Sequence, residues 1–192
     1  GFTSETIASA TAIRRGIFCG EEITPYVPAS SLDHLEDQKV CLEDYFPYLK
    51  FRLLTMDLAS LKQIYQMEAG LAVRMKKCIA SCESYESFVN QLKSKRYSQT
   101  RIQRLLLYCL LNVKEAEIKK SWQNPSLRVL GFTKKGQKYL QQVKKSLAWP
   151  LIARVGQKQV EQLFLTIRAD EVYQLAHSKI QEQNFSRAVI RI

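Results

Sequence analysis

Ile102, Leu105, Leu106, Cys109 and Leu110 recur at i, i+3, i+4, i+7 and i+8. Only an α-helix gathers that spacing onto one face. An apolar face of this width needs covering by other elements, so the segment is expected to anchor a core. Ser98 or Thr100 can start it as an N-cap, because a short hydroxyl side chain satisfies an orphan N–H of the first turn.

Helical signals continue on both sides. A first short helix is expected over about residues 9–19. Pro25 and Pro28 then forbid a regular helix and favour an extended connector. Residues 30–38 read as a brief helix capped by Ser30 or Ser31. Pro47 precedes an apolar run from Tyr48 to Met56, and Asp57 offers a cap for Leu58, Leu61, Ile64 and Tyr65. Gly70 interrupts before Leu71, Met75 and Ile79 resume the period, and Ser84 caps a helix carrying Phe88, Val89 and Leu92. A helix near 114–122 ends at the Asn124-Pro125 turn. Leu127–Phe132 and Leu151–Val155 read as extended pieces around a lysine-rich helix that Thr133 caps and Trp149-Pro150 stops. Helices at about 157–165 and 169–180 close the reading, with Asp170 and Glu171 at the start of the second, where acidic residues suit the dipole. The expected fold class is mainly α: a helical bundle-like domain with two short strands.

The 192 residues, 46% hydrophobic, are enough for a substantial core and argue against disorder. The net charge of +11 is unevenly spread: residues 1–49 hold three basic and eight acidic side chains, residues 50–192 hold 26 and 10. Such an excess attracts polyanions, namely tRNA, rRNA, DNA or an anionic membrane, although excess lysine also serves solubility. Five cysteines, an odd number, speak against a closed disulfide framework. Cys78 and Cys82 share a helical spacing, but no Cys or His pair completes a metal site, and reduced thiols are expected. His34 and His177 have no ligand-spaced partner and read as surface or structural residues. No Gly-rich phosphate loop, serine elbow or paired-carboxylate motif occurs, so no catalytic residue and no metal ligand is assigned. No apolar stretch reaches the roughly 20 residues of a membrane span and no signal peptide is visible; the expected location is the cytoplasm.

Two places carry binding chemistry. The run Ile7 to Arg15 puts Ser9, Thr11, Arg14 and Arg15 at a helix start, where free N–H groups and a forked cation can grip phosphate; the competing reading is an ordinary capped helix. The densest basic cluster runs from Lys93 to Arg104. If helix extends back to Tyr97, then Tyr97, Arg101, Arg104 and Tyr108 share one face, with Lys95 and Arg96 beside it. Arginines that fork onto phosphates and tyrosines that stack suit RNA, whereas the alternative is a half-buried helix flank. Lys134, Lys135, Lys138, Lys144 and Lys145 point in several directions and read as a solvated face.

Ser9-Ala10-Thr11-Ala12-Ile13-Arg14 resembles the late Ser-x-Thr-x-Ile-Arg signature of adenylate-forming nucleotidyltransferases, whose arginine approaches ATP phosphates. Gly70-Leu71 with Arg74, Lys95-Arg96-Tyr97 with Thr100 to Arg104, Arg128 to Phe132 with Gly136, and Asp170 with Tyr173 resemble the ordered landmarks of the bacterial tRNA(Met) cytidine acetate ligase family. The resemblance covers nearly the whole chain. It implies that ATP, with Mg2+, and acetate as co-substrate form acetyladenylate, and that the wobble cytidine of elongator tRNA(Met) takes the acetyl group. It further implies ATP contacts from Ser9, Thr11, Arg14 and Arg15, and tRNA contacts from Lys95, Arg96, Tyr97, Arg101, Arg104 and Tyr108. Residues 1–44 would be the end of the nucleotidyltransferase-type region and a linker, and residues 45–192 a helical tRNA-binding domain.

The chain departs from the family pattern in two ways. Ala69-Gly70-Leu71-Ala72-Val73-Arg74 stands where the family commonly has Glu-Gly-Leu-Glu-Asn-Arg, with a glutamate displaced to Glu68. No His-x-Gly-His motif occurs. The chain is therefore expected to give one wall of an ATP site and to be inactive without a missing N-terminal nucleotidyltransferase domain. A noncatalytic helical RNA-binding or protein-interaction module is the alternative.

Overall fold

The structure, a computed structural model, describes residues 7–36, 40–177 and 180–192. The side chain of His34 and residues 37–38, the expected end of the second helix, lie outside the described residues. The first half of the chain holds α1 (Ala10–Cys19), α2 (Ala29–Glu36), α3 (Phe46–Thr55), α4 (Leu58–Lys62), α5 (Ala69–Cys78) and α6 (Tyr85–Leu92). There follow α7 (Gln99–Leu111), α8 (Glu115–Gln123), β1 (Leu127–Arg128), β2 (Gly131–Phe132), α9 (Lys134–Val143), β3 (Leu151–Ile152), α10 (Val160–Gln174) and β4 (Ile190–Arg191).

The stripe on α7 is buried in full, and α3, α4, α5 and α6 pack around it. Leu53, Leu61, Met75, Phe88, Leu92 and Ile102 are inaccessible to solvent, and Phe46 lies 6.3 Å from Phe88, centroid to centroid. Each such side chain adds about 1.5–3 kcal/mol of hydrophobic stabilisation. Polar groups fasten the edges of this core. Lys76 Nζ donates to the carbonyls of Leu53 at 2.7 Å, Leu54 at 3.1 Å and Met56 at 2.8 Å. It thus meets the carbonyl-rich end of α3, where a cation also suits the dipole. The Glu43 carboxylate accepts the Tyr85 N–H at the start of α6 at 2.9 and 3.0 Å.

A second, smaller core gathers Ile152, Val155, Leu163 and Ile167 under α10. Arg168 links it to the first: its guanidinium donates to the carbonyls of Leu111 and Asn112, both at 3.2 Å, and forks onto Glu117 at 2.6 and 3.2 Å. One side chain therefore ties α10 to the end of α7 and the start of α8.

The chain is not a helical bundle. Among the described residues four strands form two parallel pairs, Leu127 with Leu151 and Arg128 with Ile152, then Gly131 with Ile190 and Phe132 with Arg191. The second pair brings the last described residues back to the middle of the chain. Gly131 lets the strands approach closely there, since a Cβ would sit 3.2 Å from the Ile190 carbonyl oxygen. Two smaller corrections concern helix limits. The helices expected at 157–165 and 169–180 are one, α10, because nothing between Leu165 and Ala169 breaks a helix, and Asp170 and Glu171 lie near its end. Also, α7 does not reach back to Tyr97, since Ser98 is extended and caps it. Among the described residues no helix is long and apolar enough to cross a membrane.

Candidate functional site

Ser9 adopts an extended backbone and its hydroxyl accepts the Ala12 N–H at 3.2 Å, so it caps α1 as a hydroxyl there should. Ala12 and Gly16 are the buried side of the helix; Thr11, Arg14 and Arg15 are exposed. Arg14 borders a cleft of about 520 Å3 whose walls include Phe18, Leu42, Tyr45, Leu107 and Tyr173. Arg15 does not reach that cleft. The Tyr45 hydroxyl donates to the Tyr173 carbonyl at 2.9 Å, and burial, with Tyr173 and Asp44 nearby, pushes its pKa up, which keeps it a donor. The arrangement offers one guanidinium on an otherwise apolar rim. It can neutralise one anionic group and does not by itself enclose a nucleotide.

The basic cluster is organised by Glu68, the N-cap residue of α5. Its carboxylate accepts from Arg96 Nη2, from Arg101 Nη2, and from the Tyr97 hydroxyl at 2.9 Å. Both guanidinium groups also lie against the Tyr97 ring, at 5.5 and 5.2 Å from its centroid. The Tyr97 hydrogen bond, opposed by desolvation and reinforced by Arg101 and Arg96, holds Glu68 below the usual carboxylate range. Tyr97 is buried, so its ring packs inside the cluster and is not an open stacking platform. Arg96 remains mostly exposed and Arg101 partly so. Lys95 and Arg104 are exposed on the same stretch. Tyr108 is half-buried and sits edge-on to Tyr65 at 5.2 Å, with Trp122 next in the row at 6.4 Å from Tyr65. The structure thus brings Arg96, Tyr97 and Arg101 together, leaves Lys95 and Arg104 open, and turns Tyr108 toward a separate aromatic row. The lysines of α9 and just beyond it are all exposed.

A polar network escaped the sequence reading although two of its members were landmarks. Arg128 donates to Asn184 Oδ1 and, at 2.6 Å, to the Gln183 carbonyl. Asn184, only 2% exposed, donates to Asp170 Oδ2 at 2.9 Å, which also accepts the Gln183 N–H at 2.9 Å. Next to it, Glu182 accepts the N–H groups of Phe185 at 2.7 Å and Ser186 at 2.6 Å. Desolvation raises its pKa, but these backbone donors outweigh that and bring it down to about 2. Arginine and asparagine in sequence signal nothing of this; only the return of the chain to β2 creates it. Among the described residues no group of three or more His, Cys, Asp or Glu is placed to hold a metal ion. The five cysteines are free, and burial pushes the Cys109 thiol up to about 12.

The HIGH Nucleotidyl Transferase family model matches residues 1–188. A tRNA(Met) cytidine acetate ligase of Bacillus licheniformis is 38% identical over 205 residues, covering 98% of this chain and 49% of the relative. One of the same name from Lactiplantibacillus plantarum is 40% identical over 179 residues, with 91% and 47% covered. The chain spans about half the length of the curated relatives it matches. A crystal structure of apo Thermotoga maritima TmcAL matches with a TM-score of 0.87 at 24% identity, over 98% of this chain and 52% of that one. A second, bound with alpha-thio ATP, gives 0.86 at 25% identity, over 97% and 52%. The bundle-like expectation gives way on this ground too: the strand pairs belong to a fold shared along nearly the whole chain with TmcAL.

Proposed function

The chain belongs to the HIGH nucleotidyl transferase family, and we propose that it serves as part of an ATP-dependent tRNA(Met) cytidine acetate ligase. In this reading residues 1–44 give one wall of the ATP site and residues 45–192 a tRNA-binding surface. The observation that carries the reading is the match to ligases along 98% of the chain, with Arg14 of the Ser-x-Thr-x-Ile-Arg run exposed in the second turn of a capped helix.

The chemistry asks for little from these residues beyond charge and position. Acetate attacks the α-phosphorus of ATP and pyrophosphate leaves; the cytidine amine then attacks the acetyl carbonyl of acetyladenylate, and AMP leaves. Negative charge shifts among phosphate oxygens in the first step, and a guanidinium there stabilises the transition state more than the ground state. Arg14 takes that role, with Arg15 beside it and Ser9 and Thr11 shaping the helix start. Lys95, Arg96, Arg101 and Arg104 meet the tRNA backbone, and Tyr97 supports Arg96 and Arg101, while Tyr108 stands apart beside Tyr65. The alpha-thio ATP bound to TmcAL supports a nucleotide site in this family.

The test joins this chain to the half of the Bacillus licheniformis relative that it does not match, and follows labelled acetate into tRNA(Met) with ATP present. The expected result is ATP-dependent transfer that drops at least tenfold in Arg14→Ala while tRNA binding persists. Unchanged transfer in Arg14→Ala removes the phosphate role. Binding of tRNA with no ATP consumption in any form leaves a noncatalytic RNA-binding module.

A further inference from the structure

Arg96, Arg101, Arg128 and Arg168 have donors committed within the molecule. Arg96 and Arg101 share Glu68, Arg168 forks onto Glu117, and Arg128 is spent on Asn184 and a carbonyl. A cleft of about 520 Å3 between β2, β4 and the residues after β3 is different. Arg154, Arg187 and Arg191 line it together with Phe132 and Phe185, and no carboxylate is among its lining residues. All three arginines are exposed, and among the described residues none of them meets a carboxylate. Arg187 donates one N–H to Gln183 Oε1 at 2.5 Å and keeps the rest of its fork.

The walls of this cleft are held in place. Parallel pairing of β2 with β4 sets Phe132 opposite Arg191, with backbone bonds of 3.0 Å from Ile190 to Leu130 and 3.1 Å from Ile192 to Phe132. Glu182 fixes the backbone of Phe185 and Ser186, and the Asp170–Asn184–Arg128 network anchors the preceding residues to α10 and β1. Phe185 lines the cleft and is 40% exposed, so part of its ring is accessible from it.

We propose that this cleft binds a nucleotide of a single-stranded tRNA segment, with Arg154 and Arg191 on backbone phosphates and Phe185 stacking on the base. The proposal rests on the reading that the chain binds tRNA. Three unpaired cations exceed what a single phosphate group needs, whereas a strand brings successive phosphates past one cleft. Aromatic rings with arginine forks are how single strands are held, because every base has a π-face. The volume falls in the range of about 300–1,000 Å3 that suits small ligands and single nucleotides.

The test is tRNA(Met) binding by the whole chain at 50 to 200 mM salt. In Arg154→Gln/Arg191→Gln the slope of log affinity against log salt should become shallower by about 1.4, at about 0.7 per single-strand phosphate. In Phe185→Leu affinity should fall about fivefold or more with the slope unchanged. Unchanged binding in both variants, while Lys95→Ala/Arg104→Ala weakens it, overturns this site and leaves the tRNA reading intact. Failure of the unmodified chain to bind tRNA at 50 mM salt overturns both. Free AMP that occupies the cleft as tightly as tRNA, read by its competition, overturns the assignment to a strand.

Discussion

Glu68→Gln should strengthen tRNA binding and make it more sensitive to salt. The carboxylate holds two guanidinium groups and one tyrosine hydroxyl, so the cluster of Glu68, Arg96 and Arg101 carries a net charge of only one. Glu68 is held below the usual carboxylate range, by the Tyr97 hydrogen bond first, so at neutral pH the substitution removes a full negative charge. Glutamine can still accept from Tyr97, which keeps the buried ring in place. If both freed forks then engage duplex phosphates, the slope of log affinity against log salt steepens by about 1.8, at about 0.9 per contact. Between 50 and 200 mM salt that amounts to about a twelvefold larger loss of affinity than in the unmodified chain. Filter binding or anisotropy across the salt series reads it directly, with a thermal melt to compare folding. An identical slope in Glu68→Gln and the unmodified chain would show that Arg96 and Arg101 do not reach tRNA, and the expected basic face would shrink to Lys95 and Arg104.

The Arg128 network carries a stability prediction. Arg128→Ala strands Asn184 Oδ1 and the Gln183 carbonyl in a nearly dry site, which costs about 2–3 kcal/mol and lowers Tm by about 4–12 °C in a chain of this size; a melt within 1 °C of the unmodified chain would refute it. Glu182 carries a pH prediction. Its folded pKa of about 2 lies below the unfolded value of about 4.3, so the stabilisation is fully present above the unfolded value and is lost as pH falls through the folded one. Urea melts between pH 6 and 2.5 should show a decline below about pH 4.5 that is flatter in Glu182→Gln; parallel declines would remove Glu182 as a contributor.

The helical half of the fold was legible because its signals are local. Ser9, Asp57, Ser84, Ser98 and Thr133 each accept the N–H three residues on, as their positions before apolar periods required. The α7 stripe is buried as written. The strands have two residues each, too short for a period of two to show, and their partners lie far along the chain. Leu127–Phe132 and Leu151–Val155 could be read as extended, but β4 and the parallel pairings could not. The same distinction holds for the sites. Residue types announced cations, whereas their availability depends on Glu68, which reads in sequence only as a displaced glutamate, and on a chain return that sets Arg191 beside Phe132.

Availability, not net charge, is the quantity that decides what this surface can bind. Arg168 shows the limit of counting: it contributes one of the 29 basic side chains, yet its donors are committed to Glu117, Leu111 and Asn112, and its task is to join two cores. Removing it would weaken the fold and alter polyanion binding only through that weakening. Arg14, Arg104, Arg154 and Arg191 have no such commitment among the described residues, and they lie on separate parts of the structure: α1, α7 and the strand pairs. A long, folded polyanion can touch several of these places at once, which a small anion cannot. Salt dependence measured variant by variant therefore separates structural arginines, which leave the slope unchanged, from those that meet phosphate.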